Sequence, residues 1–192
     1  MALQLQQSGE WYTFLPVTVT WSGTEMLIYH PVYDVNHGMF RMLRLLNASP
    51  SESMPWDAYR IVDFYYMFPH LLADVGWPRA FNSRKKKYQG GASSYTRIPS
   101  PKIFIRQLRG VHETIARSLA SKGYLEPIGD VPMMLKRTQQ MLPKQLTDAF
   151  VHAYQDEDLI ELLAVNIAAI PLAGKDGLKA RTRLLEHRYE AL

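Results

Sequence analysis

The chain has 192 residues, a length that fits one domain, or one domain with an appendage, and that allows a hydrophobic core. It has no cysteine, which excludes disulfides, thiol catalysis and cysteine-ligated zinc and favours a cytoplasmic protein. No apolar run is long enough to span a membrane, and we expect no secretory signal because the start lacks a basic, then apolar, pattern. The formal net charge is only +4, so the uneven distribution of charge is more informative than the total.

The N-terminal residues 1–25 are predicted to be either a leader or a short strand. Val and Thr alternate up to Trp21, which favours a strand, and Gly23 favours a turn after it. The same composition also fits a poorly ordered leader. From residue 26 to 192 we predict a single domain that is mainly α-helical with a minor β component, because helical spacing of apolar residues dominates there.

Two helices are predicted in the first half of this domain. Asp34 is a suitable N-cap for the first helix, in which Phe40, Leu43 and Leu46 recur at helical spacing. A polar loop rich in Ser and Pro follows, and the second helix begins at about Pro55 because proline suits a first helical turn. Apolar residues occur on nearly every side of the second helix, which predicts that it is central and buried.

Residues 75–100 are predicted to form a long basic loop. No acidic residue occurs between Asp74 and Glu113, an interval that is rich in Lys and Arg. A segment of one charge sign attracts polyanions or an acidic protein surface. Loops of this length in compact domains are usually functional or disordered, so a binding loop and a solvated lysine-rich loop are both open.

The stretch 101–138 predicts a winged helix-turn-helix-like module with a β-hairpin wing. Its main helix is indicated by an apolar stripe at four-residue steps: Val111, Ile115 and Leu119. Gly110 is predicted to separate this helix from a shorter one before it, and Gly123 is predicted to end it. Residues 124–125 and 131–135 are predicted to pair as the hairpin. The alternative is a helical hairpin capped by a β-ribbon.

Winged helices place one helix in the major groove, and their wings and loops contact phosphates. His112, Glu113 and Ser118 are therefore predicted to face base edges. Because Glu113 opposes close approach of a phosphate and no arginine pair is arranged to recognise guanine, we expect non-specific contact with double-stranded DNA. The predicted phosphate contacts are Arg84, Lys85, Lys86, Lys87, Arg97, Lys102, Arg106, Arg109, Arg117, Lys136 and Arg137.

Three helical segments are predicted after the winged module. The first spans about residues 144–154 and follows a proline, and the second spans about 159–170 behind an acidic cap. The third is an amphipathic tail at 178–192, whose charged face is typical of a solvated helix or of an interface. The predicted partner-binding residues in this tail are Lys179, Arg181, Arg183 and Arg188.

The sequence contains no nucleophile elbow, phosphate-binding loop or dinucleotide fingerprint, so we expect a protein that is not an enzyme and holds no cofactor or metal. The strongest metal candidate is the set His30, Asp34 and His37, whose spacing matches ligands on one helix face. Pro31 breaks the helical register that these ligands would need. Polar residues at a helix start are therefore favoured, and a metal-dependent enzyme remains an alternative hypothesis.

Three blocks of sequence, with the helix around Ile115, carry a resemblance to a known family. The blocks are Tyr29–Pro31 with Phe40–Leu46, Arg60–Pro69, and Gly177–Thr182. Together they resemble the middle components of bacterial ABC-three-component systems, the small subunits of Lamassu-like defence operons. The resemblance implies a non-catalytic adaptor that holds an effector, often a nuclease, to an SMC- or Rad50-like ATPase. From the residues alone, the alternative is a winged-helix transcription regulator, which requires a symmetric dimer and sequence-specific binding.

Overall fold

The computed structural model describes residues 31–89, 98, 100–127, 129, 133–153 and 157–185. The predicted leader or strand at 1–25 lies outside these residues, as do His30, Arg97 and Arg188. The described part is mainly helical with one small antiparallel sheet, which confirms the predicted fold class at that level.

Helices account for most of the described chain. The α-helices are α1 (Val35–Ala48), α2 (Trp56–Met67), α3 (Asn82–Lys86), α4 (Pro101–Ser121), α5 (Lys144–Val151), α6 (Glu157–Glu161) and α7 (Leu178–Thr182). Helix α6 continues directly into a π-helix, Leu162–Ile167. The strands are β1 (Ser53–Pro55) and β2 (Met134–Lys136), and short 3-10 segments occupy Pro31–Tyr33, Pro69–Asp74 and Arg79–Phe81.

Helix α1 begins where the sequence predicts. The Asp34 carboxylate accepts hydrogen bonds from the backbone N–H of Asn36 at 2.8 Å and of His37 at 3.1 Å. These bonds satisfy two amides that the start of a helix leaves without an intrahelical partner. At the other end, the Ser49 hydroxyl donates to the backbone carbonyl of Ser53 at 2.9 Å, which turns the chain toward β1.

Helix α2 is the buried centre of the core, as predicted. Every residue from Ala58 to Tyr66 is buried, which explains why its apolar residues follow no single stripe. Helices α1 and α4 and the π-helix pack against it, and α1 also contacts the other two. These four helices therefore enclose one continuous hydrophobic core.

Helix α4 runs without interruption from Pro101 to Ser121, so the predicted break at Gly110 is wrong. Glycine inside a helix costs only about 1 kcal/mol relative to alanine. Leu108 and Ile115, one on each side of it, are fully buried, and each burial contributes about 1.5–3 kcal/mol. Because α4 is a single helix, it contains no helix-turn-helix, and the transcription-regulator alternative loses its basis.

The predicted helix stop is confirmed, since Gly123 adopts a φ of +80°.

The ribbon after α4 pairs in a different way from the predicted hairpin. The backbone N–H of Glu126 donates to Lys136 at 2.9 Å, and that of Thr138 donates to Tyr124 at 3.2 Å. Pairing thus involves 124–126 and 136–138 rather than 124–125 and 131–135. On its other side the ribbon pairs with β1, with Met54 opposite Leu135. Strand β1 occupies a segment predicted as loop, because three residues carry too little pattern to reveal a strand.

The predicted long loop at 75–100 is partly helical. Between residues 75 and 89 the chain forms a 3-10 turn and helix α3, and residues 90–97 and 99 are outside the described ranges. Trp77 is buried, and its indole N–H donates to the backbone carbonyl of Leu72 at 2.9 Å. Pro78 then starts the turn. The buried indole holds the segment against the core, although the basic composition of the segment favours a free loop.

The C-terminal helices are shorter than predicted. Helix α5 ends at Val151, and the predicted helix at 159–170 is instead α6 followed by the π-helix. The predicted tail helix at 178–192 is interrupted, because Arg183 adopts a left-handed φ of 56° and ends α7 at Thr182. The next two side chains, Leu184 and Leu185, are buried in the core.

Candidate interaction surface and buried polar cluster

A polar cluster links helices α1, α2 and α4 inside the core. Asp63 of α2 is fully buried and accepts hydrogen bonds from Arg41 Nε at 2.7 Å and Arg41 Nη2 at 3.2 Å. His112 Nε2 of α4 lies 2.9 Å from the second carboxylate oxygen of Asp63. Arg41 Nη1 lies 2.9 Å from His37 Nδ1 on the same helix. We call Arg41, Asp63, His112 and His37 the polar core cluster.

The charges of the polar core cluster are balanced internally. Burial raises the pKa of Asp63, but the Arg41 charge and the hydrogen bond from His112 outweigh this effect and hold that pKa well below its usual range. Asp63 is therefore ionised at neutral pH. Because a carboxylate only accepts hydrogen bonds, His112 Nε2 is the donor in its contact with Asp63.

His37 is held in the neutral state at physiological pH. Burial and the neighbouring Arg41 charge lower the pKa of His37 to about 4. The guanidinium has only donors, so His37 Nδ1 accepts its hydrogen bond. A cation at this nitrogen would face the Arg41 charge, and the Asp34 carboxylate already caps α1. Within the described ranges, no group of three or more potential metal ligands occurs, and His30 lies outside those ranges.

The prediction that His112 faces a base edge is wrong. Its side chain is fully buried and lies on the same stripe of α4 as Leu108, Ile115 and Leu119. That stripe has the 4-3-4 spacing of a helix face that packs on a core. The spacing is visible in the sequence, but a histidine within it indicates a base contact only if the helix is exposed. Arg41 and Asp63 were not predicted either, since a pair 22 residues apart leaves no local pattern.

Three members of the polar core cluster are closed to solvent, and His37 at its edge is partly buried. Arg41 is 1% exposed, and Asp63 and His112 are 0% exposed. In the described structure the His112 Nδ1 atom and the Tyr59 hydroxyl are also buried and have no hydrogen-bond partner. Burial raises the pKa of the Tyr59 phenol well above its usual range, and the Asp63 charge adds to this effect. The cluster thus joins α1, α2 and α4 through contacts inside the core.

The predicted basic loop residues hold α3 against its neighbours. Arg84 donates to the Asp158 carbonyl at 2.7 Å and pairs with Glu161 at 3.3 Å, and Lys87 pairs with Asp158 at 2.6 Å. Lys85 donates to two backbone carbonyls at 3.2 and 2.9 Å, and Lys86 is exposed. The basic residues do lie together, but the acidic residues Asp158 and Glu161 face them. Contact of these basic residues with DNA stays a prediction.

Four of the predicted phosphate contacts lie along the exposed side of α4. They are Lys102, Arg106, Arg109 and Arg117. Arg109 pairs with Glu113 at 2.8 Å, one helical turn away. This surface, which we call the α4 cationic face, is the largest grouping of the predicted contacts on one element.

The remaining two predicted contacts lie on the β-ribbon and differ in exposure. Lys136 is half exposed and pairs with Glu126 at 2.7 Å. Arg137 is buried, and its guanidinium donates to Asn47 Oδ1 at 2.9 Å and to Glu52 Oε1 at 3.0 Å. The predicted phosphate contact at Arg137 does not fit this placement, because its donors already connect the ribbon to the end of α1 and to the chain before β1.

The predicted partner-binding residues of the tail are partly used to fix α7 on the domain. Lys179 pairs with Asp57 of α2 at 3.0 Å, and Arg181 donates to the Gly76 carbonyl at 2.6 Å. Arg183 is exposed and lines, with Arg181, a cleft of about 340 Å³ beside Gly76. Arg183 is therefore the described tail residue that is best placed to meet a partner.

None of the described helices is both long enough and apolar enough to cross a lipid bilayer.

Comparison with known proteins gives one match. No curated protein and no solved structure is significantly similar to the chain. One family model matches residues 27–190, which is nearly the whole chain, and it describes Middle Component 5 of ABC-three-component (ABC-3C) systems. This range includes all three sequence blocks that carry the resemblance, together with the helix around Ile115. The chain therefore belongs to the ABC-three-component Middle Component 5 family.

Proposed function

We propose that this protein is a non-catalytic adaptor subunit of a Lamassu-like anti-phage and anti-plasmid defence complex. It links an SMC- or Rad50-like ABC ATPase to an effector, often a nuclease, and it adds non-specific contact with the DNA backbone. The observation that carries this proposal is the family match over residues 27–190. A middle component of a three-component system is by description one part of a multi-subunit assembly.

The internal structure supports a scaffolding role. Asp63 and Tyr59, whose pKa values are both strongly shifted, are fully buried and face other side chains of the core. Perturbed groups of catalytic sites usually lie in a cleft that a substrate can enter. Here they connect helices, which suits a body that must present fixed surfaces to two partners.

The surface supports protein docking as well. Met133, Met141 and Val151 are 84%, 88% and 73% exposed. Methionine is enriched in protein interfaces because its flexible, polarizable side chain adapts to different partner surfaces. These side chains, with Arg183 of the tail, are positions through which an adaptor of this kind contacts its neighbours.

Co-expression of the tagged chain with the genes beside it tests the proposal. We expect a large ATPase and a second protein to co-purify with the chain in fixed ratio. The variant Arg183→Glu is expected to weaken this association, whereas Lys175→Glu, an exposed charge reversal in the same region, leaves it unchanged. Purification of the chain as a self-sufficient particle that binds one defined DNA sequence would contradict the proposal.

A further inference from the structure

The α4 cationic face contains a glycine for which the fold gives no reason. Gly110 is exposed at the middle of a 21-residue helix, and a Cβ added there would meet no atom of the described residues within 4 Å. Its φ is not in the left-handed region, so its conformation does not require glycine either. Alanine at an exposed helical position is more favourable than glycine. Within the described part of the chain, neither packing nor backbone conformation therefore requires glycine at position 110.

The position of Gly110 relative to the cations suggests its use. Arg106 precedes it by four residues and Arg117 follows it by seven, so all three lie on one side of the helix. Without a side chain, the helix backbone at Gly110 is open to close approach by another backbone. Cations on both sides of that point attract an anionic chain.

We propose that the α4 cationic face binds the phosphate backbone of double-stranded DNA, with Gly110 at the point of closest approach. This inference rests on the DNA contact in the proposed function and assigns it to α4 rather than to the basic cluster at 84–87. Arg106 and Arg117 are separated by about 16 Å along the axis at 1.5 Å per residue. The two arginines can therefore contact phosphates of the DNA backbone on either side of Gly110.

The composition of this face favours DNA over an acidic protein. Protein interfaces are centred on large, buried anchors, mostly aromatic residues and arginines packed in pockets. The exposed side of α4 has one large apolar side chain, Ile103, which is 50% exposed and lies in the first turn. Around Gly110 the exposed residues are small or polar, as at Gln107 and Thr114, and the nearby Glu113 carboxylate is paired with Arg109 at 2.8 Å. Cations with small polar residues and no anchor are typical of phosphate contacts.

The experiment measures binding of the full-length chain to a fluorescent duplex of about 30 base pairs with arbitrary sequence, by anisotropy, at several salt concentrations. Arg106→Gln combined with Arg117→Gln is expected to weaken binding at least tenfold at low salt. Loss of two phosphate contacts lowers the slope of log affinity against log salt by about 1.8. The matched double variant Arg84→Gln with Lys87→Gln is expected to bind as the wild type does.

Gly110→Ala gives the sharper test, because it separates folding from binding. We expect the melting temperature to rise by about 2–4 °C, since alanine favours the helix, and the DNA affinity to fall several-fold. Gly76→Ala, at another exposed glycine where no atom of the described residues lies within 4 Å of an added Cβ, controls for the added methyl group. Unchanged DNA affinity in Gly110→Ala together with an unchanged salt slope in the double arginine variant would overturn the inference.

The test also separates this inference from the adaptor proposal. If the wild-type chain does not bind the duplex, or if the α4 variants lose their protein partners and keep their DNA affinity, the inference is wrong. If the wild-type chain does not bind the duplex, co-purification of the ATPase and effector with the chain would still support the adaptor role. Failure of co-purification with intact, α4-dependent DNA binding would instead contradict the adaptor role alone.

Discussion

Asp63 is the residue at which three helices of the core meet. It is fully buried, and its charge is neutralised by Arg41 from α1 and hydrogen-bonded by His112 from α4. A buried ion pair adds little net stability compared with apolar packing, because both groups lose their hydration. Removing one partner is different, because it leaves the other charge buried and unpaired.

The variant Asp63→Asn is therefore expected to destabilise the protein strongly. The asparagine can accept one hydrogen bond but leaves the Arg41 charge without a counter-charge, which costs about 3–5 kcal/mol of unfolding free energy. Chemical denaturation measures this loss. The control is Asp57→Asn, whose pairs with Arg60 and Lys179 are partly exposed and contribute less than about 1 kcal/mol. A loss below about 1 kcal/mol for Asp63→Asn would show that the cluster is not a structural link.

The stability of the protein is expected to fall in acid in two stages. The pKa of His37 is lowered on folding from 6.5 to about 4, so the unfolded chain binds more protons than the native state between those values, and stability falls as pH decreases through that window. The pKa of Asp63 is also lowered on folding, so stability continues to fall as the pH decreases below the ordinary pKa of a carboxylate. Both shifts act in the same direction, so the protein is expected to be more stable near pH 7 than in acid.

The variant His37→Gln separates the two stages. Glutamine keeps an acceptor for the Arg41 guanidinium but does not titrate, so the unfolding free energy is expected to become flatter between pH 6.5 and 4 and to fall as before at lower pH. Denaturation at a series of pH values measures this. A wild-type slope in the variant between pH 6.5 and 4 would show that His37 is not the group responsible.

At the scale of elements, Arg137 is the link between the ribbon and the helical core. Arg137→Met is expected to cost about 2–3 kcal/mol, because the side-chain oxygens of Asn47 and Glu52 lose charge-assisted hydrogen bonds. Hydrogen exchange is expected to become faster at the backbone amides of Glu126 and Thr138. Lys136→Met removes only a half-exposed pair and serves as the control. Equal effects of the two variants would contradict the role given to Arg137.

Elements with local signals could be predicted from the sequence. Asp34 marks the start of α1, Pro55 that of α2, and Gly123 the end of α4, each through chemistry confined to a few residues. The continuous α4 could not be predicted, because the cost of Gly110 is smaller than the gain from burying the residues around it. Strand β1 exists only through its pairing with residues about 80 positions later.

The candidate site could be predicted only as a set of charges. The excess of Lys and Arg after Asp74 is visible in the sequence. The partner of Arg84 is not, because Asp158 lies 74 residues further along the chain. For the same reason Arg137 was predicted to be a surface cation, although Asn47, 90 residues earlier, binds it in the interior. Charge predicts what a surface attracts, but tertiary contacts determine which charges remain on the surface.

At the scale of the whole molecule, the described structure is a helical body whose buried polar groups face inward. Its outer features are the α4 cationic face, the exposed methionines and the Arg183 position at the end of α7. These features lie on different elements, and each suits a different contact. This arrangement accords with membership in a family of middle components and with the proposed adaptor role.

Reconstitution with and without this chain tests the adaptor role most directly. The neighbouring ATPase and effector are purified separately, mixed, and separated by size-exclusion chromatography, first alone and then with the chain added. The account predicts that the effector elutes with the ATPase only when the chain is present, and that all three then elute together. An effector that elutes with the ATPase without the chain, or a chain that elutes alone from the mixture, would contradict it.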